Sequence, residues 1–119
     1  MTEDTLAAVN RFNDAFNRHD VDAVMAAMTE DCVFENTRPT PDGGRFVGHA
    51  AVRAFWETFF RNSPEARFDT EEMFAADDRC VVKWRYSWVK QGTPGHVRGV
   101  DLFRVRDGKV SEKLSYVKG

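Results

Sequence analysis

The chain has 119 residues, of which 42% are hydrophobic, 30% charged and 13% aromatic, with a formal net charge of −2. That length implies one domain over residues 1–119, able to bury about two-thirds of its unfolded surface, and the composition excludes a disordered chain. Basic residues are scattered rather than striped, which argues against nucleic acid as a partner. No apolar run approaches the ~18 residues of a membrane span, which argues against a membrane partner. The start, Met1-Thr2-Glu3-Asp4-Thr5, is acidic and lacks a signal-peptide apolar region, so the expected location is the cytoplasm.

Leu6, Val9, Phe12 and Phe16 recur at helical spacing and predict an amphipathic helix over residues 3–18. His19-Asp20 breaks it. Asp20 is placed to cap a second helix, with Val21, Val24, Met25 and Met28 on one face, which Thr29-Glu30-Asp31 ends. Cys32 to Asn36 reads as a short strand. Thr37 to Gly44 holds two Pro and two Gly and reads as a loop. Phe46-Val47-Gly48 leads into a third helix, with Val52, Phe55, Trp56, Phe59 and Phe60 as its apolar face, and Asn62-Ser63-Pro64 stops it.

Strands follow. Ala66 to Ala75 is one, with a turn at Asp77-Asp78. Cys80 to Lys90 alternates Val82, Trp84, Tyr86 and Trp88 against Val81, Lys83, Arg85 and Ser87. Gln91 to Gly95 turns the chain. Val97 to Val105 and Val110 to Val117 then pair through Asp107-Gly108, a strong hairpin signal. Helices first and meandering strands last predict an α+β fold, three N-terminal helices packed on a curved antiparallel sheet, with room for a cavity between them.

Asp101 stands out as a carboxylate inside a strand, Val97-Arg98-Gly99-Val100-Asp101-Leu102-Phe103-Arg104-Val105. If buried it needs partners. It is either half of an ion pair with Arg85, Arg98 or Lys113, or an acid that donates a hydrogen bond into an apolar pocket. Asn36, at a strand end, either makes turn bonds to the backbone or orients a ligand. The stripe Trp84, Tyr86 and Trp88 belongs to a buried face, because the opposite face is Lys83, Arg85 and Ser87. His19, His49 and His96 are isolated, match no metal spacing and read as surface residues. Cys32 and Cys80 read as two buried thiols rather than a disulfide. There is no nucleophile motif, phosphate loop or dinucleotide fingerprint, so no cofactor is expected.

Four segments together resemble the nuclear transport factor 2-like superfamily, in its SnoaL-like and ketosteroid-isomerase-like branch. They are Phe16-Asn17-Arg18-His19-Asp20-Val21-Asp22-Ala23, Asp31-Cys32-Val33-Phe34-Glu35-Asn36, Gly48-His49-Ala50-Ala51-Val52-Arg53-Ala54-Phe55 and Gly99 to Val110. The resemblance implies a cone-shaped α+β barrel, a deep apolar pocket and a homodimer through the sheet. It also allows a residue-by-residue check of the family's catalytic groups. The oxyanion-hole Asp of ketosteroid isomerases matches Asp101, but Asn36 holds the position of the base and Phe12 that of the Tyr. An amide cannot shuttle a proton as a carboxylate does. For limonene epoxide hydrolases, Asn36 and Arg85 fit, whereas Ser87 and Ser115 replace the two Asp and Phe34 the Tyr. The acid–base Asp of SnoaL-like cyclases also falls near Ser115.

Two functions follow. One is a protein that binds a small hydrophobic ligand in a pocket lined by Phe12, Phe16, Phe34, Asn36, Phe55, Phe59, Trp84, Tyr86 and Ser115, with Asp101 reaching in. The other is an isomerase, cyclase or lyase that uses Asp101 as acid or oxyanion donor.

Overall fold

Helix α1 (Thr2–Asn17) buries Thr5, Ala8, Val9, Phe12, Ala15 and Phe16, a stripe at the three- and four-residue spacing of one helix face, in a computed structural model that describes residues 2–119. The helix ends where His19 takes a left-handed φ of 56° and the N–H groups of His19 and Asp20 donate back to Phe16 and Ala15 at 2.9 and 3.1 Å. Asp20 then caps α2 (Val21–Ala26), its carboxylate accepting from the Ala23 N–H at 3.1 Å.

Strand β1 (Met28–Glu35) begins earlier than its sequence predicts, and Met28 to Asp31 belong to it rather than to α2. The cause is remote. Met28 pairs with Val110, and the Val110 N–H donates to Ala27 at 2.8 Å, which draws the segment into the sheet. Strand β2 (Arg45–Val47) pairs antiparallel with β1 and is tied by Arg45 to Glu35 at 2.6 Å. The predicted lead-in to the third helix is therefore a short edge strand. Helix α3 (His49–Asn62) follows, burying Val52, Trp56 and Phe60.

The remaining strands are β3 (Arg67–Ala76), β4 (Arg79–Lys90), β5 (Thr93–Arg106) and β6 (Lys109–Val117). Gln91-Gly92 and Asp107-Gly108 have positive φ at both residues, the two-residue turn whose twist suits a hairpin. The predicted turn over Gln91 to Gly95 thus shortens to two residues, and β5 starts at Thr93. The six-stranded sheet has the order β2-β1-β6-β5-β4-β3. Its β3–β6 part is antiparallel as expected, but β1 lies parallel to β6, so the sheet is mixed rather than antiparallel. Hairpins dictate antiparallel pairing only between strands they join. No hairpin joins β1 to β6, so the packing of the helices decides its direction.

Register places the inward residues in rows across the sheet. Met28, Val110 and Val105 form one row; Phe34, Lys113, Phe103 and Cys80 the next; then Ser115, Asp101 and Val82; then Val117, Gly99 and Trp84. The helices cover these rows. Phe12 meets Phe103 edge-on at 5.7 Å, and both are fully buried. Cys32 and Cys80 are buried free thiols, each pushed up to about 11 by burial. No helix among the described residues is long and apolar enough to cross a membrane.

Candidate functional site

A cavity of about 410 Å³ opens between α3, the end of α1 and the far half of the sheet. Phe16, Phe55, Trp56 and Phe59 form its helical wall, and Phe68, Trp84, Tyr86, Trp88 and Val97 its sheet wall. Phe34 closes the side, and Asn36, Thr37, Arg38 and Thr40 line the rim. The rings support one another. Trp56 sits 4.3 Å from Phe34 and 5.0 Å from Phe16, and Tyr86 stacks on Phe68 at 4.6 Å. Burial pushes the Tyr86 phenol upward.

Two glycines shape the sheet wall. A Cβ on Gly99 would stand 2.6 Å from the Trp84 indole and 2.2 Å from the Tyr116 carbonyl oxygen. A Cβ on Gly95 would stand 2.7 Å from the Trp88 indole. Each indole lies across a neighbouring strand at a point where only glycine leaves space.

The polar end of the cavity is built by two successive inward positions of β6, Lys113 and Ser115, backed by Asp101 opposite Ser115 on β5. Lys113, 6% exposed, reaches the cavity wall. Its Nζ donates to Ser115 Oγ at 3.0 Å, and Ser115 Oγ donates to Asp101 Oδ1 at 2.7 Å. Lys113 Nζ also stands 3.4 Å from Asp101 Oδ2. The ammonium lies over the rings of Phe34, Trp56 and Phe16, at 4.8, 5.5 and 5.9 Å. Burial holds Lys113 below the usual lysine range, against the opposing pull of Asp101.

The structure brings Phe16, Phe34, Asn36, Phe55, Phe59, Trp84, Tyr86 and Ser115 to the cavity. Two expectations are corrected. Phe12 is fully buried and faces a separate recess of about 20 Å³. Asp101 borders that recess and stands behind Ser115 and Lys113 instead of reaching into the cavity. Of its three candidate ion-pair partners it takes Lys113, while Arg98 pairs with Glu71 at 3.0 Å and Arg85 is exposed on the other face of β4. Arg85 and Ser87 line an outer groove, so they do not join Asn36 and Ser115 in one site.

Lys113 is named from the sequence as a candidate partner of Asp101 but not as a cavity residue. Its signal was available, because it lies two positions before Ser115 and so on the same strand face. Trp56, Phe68 and Trp88 also line the cavity. His19 and His49 are not simple surface residues. His19 stacks on Phe60 and bonds the Ala66 carbonyl at 2.8 Å, and His49 bonds the Met28 carbonyl at 3.1 Å. Among the described residues, no cluster of three His, Cys, Asp or Glu side chains could hold a metal.

Comparison with solved structures gives close matches in fold. An NTF2-like protein of unknown function from Mesorhizobium loti is 43% identical, with a TM-score of 0.84 over 99% of this chain and 93% of its own. A proposed polyketide cyclase from Xanthomonas campestris is 23% identical, with a TM-score of 0.80 over 98% and 92%. A proposed ketosteroid isomerase from Kribbella flavida is 20% identical, with a TM-score of 0.81 over 99% and 80%. A search of curated proteins finds no match. The model of the SnoaL-like domain matches residues 9–113, and with the Mesorhizobium relative it establishes that the chain belongs to the SnoaL-like family of the nuclear transport factor 2-like superfamily.

Proposed function

We propose that the chain binds a small hydrophobic molecule in the cavity beside Lys113. The observation that carries this reading is the pairing of an aromatic enclosure of about 410 Å³ with one polar end, made by Lys113 and Ser115. Small-molecule pockets typically occupy roughly 300–1,000 Å³ and combine apolar walls with a few placed polar groups. A ligand with rings for the walls and an oxygen acceptor for Lys113 fits that division. Two fold neighbours bear proposed names that refer to polyketides and ketosteroids, which agrees with such a ligand.

The alternative, an isomerase, cyclase or lyase with Asp101 as acid, has weaker support. Asp101 accepts from Ser115, pairs with Lys113 and is screened from the cavity by both. A paired carboxylate of this kind supports the floor and has no direct contact with a ligand, which it reaches only through Ser115 and Lys113.

All three tryptophans of the chain, Trp56, Trp84 and Trp88, line the cavity. Their fluorescence therefore reports occupancy. Titration with 2-naphthol should give saturable quenching and a rise in melting temperature. Val97→Trp, which projects an indole into the cavity, should weaken both. Absence of saturable quenching across a panel of aromatic alcohols and ketones would defeat the proposal.

We infer, separately, a homodimer through the outer sheet face. Phe74, Val81, Leu102 and Leu114 form one apolar row there by register, and Phe74 is 56% exposed. A face of this kind favours a covering partner, and the resemblance of the family points to a second copy. Light scattering should give twice the chain mass, and Leu102→Arg should return it to the monomer value.

A further inference from the structure

Five lysines occur in the chain, and Lys83, Lys90, Lys109 and Lys118 are exposed, whereas Lys113 is buried against the cavity. We infer that Lys113 is a carbonyl-reactive amine, and that the cavity takes a hydrophobic aldehyde or ketone which Lys113 joins as a Schiff base. This rests on the reading of the cavity as a ligand site and names the chemical class of the ligand.

Three features of the floor suit that step. First, the amine has a proton acceptor within one hydroxyl. Lys113 Nζ, Ser115 Oγ and Asp101 Oδ1 form a donor chain of 3.0 and 2.7 Å, so a proton leaves the ammonium through Ser115 and rests on Asp101. Second, the walls are aromatic, and an amine desolvated in an apolar pocket loses its proton more readily. The lowering of Lys113 by burial agrees with this. Third, the site is built for one positive charge. Asp101 and the ring faces of Phe34 and Trp56 surround Nζ, and they stabilise an iminium as they do an ammonium.

The step balances as follows. The ammonium passes one proton through Ser115 to Asp101 and becomes a neutral amine. Its lone pair forms a bond to the carbonyl carbon, the carbonyl π pair moves to oxygen, and a proton moves from nitrogen to that oxygen. The carbinolamine hydroxyl then takes the proton held by Asp101, returned through Ser115, and leaves as water. The nitrogen pair forms the C=N bond, giving a protonated Schiff base and restoring the Asp101 carboxylate. No oxidant, reductant or co-reactant is consumed.

The test uses the full chain with 2-naphthaldehyde and, separately, cinnamaldehyde, each followed by borohydride reduction and peptide mapping by mass spectrometry. The expected result is a mass gain of one probe less one oxygen atom, on the peptide that carries Lys113. Lys113→Arg keeps the charge beside Asp101 and should lose that adduct, while Ser115→Ala should slow its formation roughly 10²-fold. Labelling spread over Lys83, Lys90, Lys109 and Lys118 without enrichment at Lys113 overturns the proposal. Tryptophan quenching without a Lys113 adduct overturns it too and leaves the binding reading standing. Neither quenching nor adduct overturns both. If Lys113→Arg does not fold, the map of the unaltered chain still decides.

Discussion

The row of Met28, Val110 and Val105 and the row of Trp84, Gly99 and Val117 lie on the same sheet face, yet one is packed solid and the other borders empty space. In the first, Met28, Val110 and Val105 belong to one buried cluster with Val9 and Phe12 and have almost no exposure. In the second, β5 supplies Gly99 and Gly95, and the indoles of Trp84 and Trp88 lie down over them. Between the two stand Lys113, Ser115 and Asp101. The difference teaches that the cavity does not result from missing bulk. It arises because large rings are laid flat against glycines at one end, and because a charged row stops the apolar core from extending into it. Packing at the solid end carries stability, and the hollow end gives some of it up for an open cavity.

The sharpest way to break this comparison is to truncate one ring at each end. Phe103→Ala removes a fully buried ring from the solid end and should cost about 3–5 kcal/mol in denaturant melts. Phe59→Ala removes a half-buried ring that already faces the cavity and should cost about 1 kcal/mol or less, while weakening probe binding. Equal losses would mean that the two ends do not differ in packing.

Next in size is the charged boundary. Asp101→Asn leaves the Lys113 ammonium buried without its counter-ion and should cost about 3 kcal/mol. Adding Lys113→Met should recover most of that loss, since an apolar pair of similar volume replaces the ions. A double variant no better than the single one would show that the pair does not act as a unit.

Gly99→Ala tests the hollow end from the other side. The new methyl meets the Tyr116 carbonyl and the Trp84 ring, so the strand or the indole must shift, at a cost of about 1–3 kcal/mol. Trp84 emission should change, and probe affinity should fall. A silent substitution would remove the case for Gly99 as a space-maker.

The last effect is confined to alkaline solution and to the solid end. Cys32 and Cys80 ionise at about 11 in the fold, against an ordinary 9.0. Their folded values are raised, so the stability linked to them is fully present below pH 9 and is lost as pH rises from 9 towards 11, where the unfolded chain releases its thiol protons first. Lys113, lowered in the fold, acts in the opposite sense up to its ordinary 10.5. Comparison of stability-against-pH curves for the chain and for Cys32→Ala/Cys80→Ala isolates the thiol part, which should be a steeper alkaline loss in the unaltered chain. Both thiols should also react with a thiol reagent only after unfolding.

The solid end and the aromatic walls were legible because they follow local period. Phe12 and Phe16 on α1, Phe55 and Phe59 on α3, and Trp84 and Tyr86 on β4 are fixed by helical or alternating spacing alone. The polar floor was half legible. Asp101 declared itself by being charged within a strand, but which of Arg85, Arg98 and Lys113 it pairs with depends on strand pairing, and that Lys113 lines the cavity required counting two positions back from Ser115. What local spacing could not reveal is pairing at a distance. The parallel contact of β1 with β6 extends β1 back to Met28, reverses the expected direction of one pairing and sets Phe34 beside Lys113. The three-residue β2 escaped notice because a strand that short has no period of its own.

That parallel pairing has a consequence in time. Residues 28–35 emerge from the ribosome long before residues 109–117, and β1 has no neighbour on its inner side until β6 is made. Contacts of such long sequence separation close late and slowly. The helices and the β3–β4 hairpin can form while the chain is still growing, yet the space they flank acquires its Lys113 and Ser115 floor only with the last strand. A nascent chain therefore exposes an aromatic surface before the cavity is closed, and the cavity is complete only once β6 has joined the sheet.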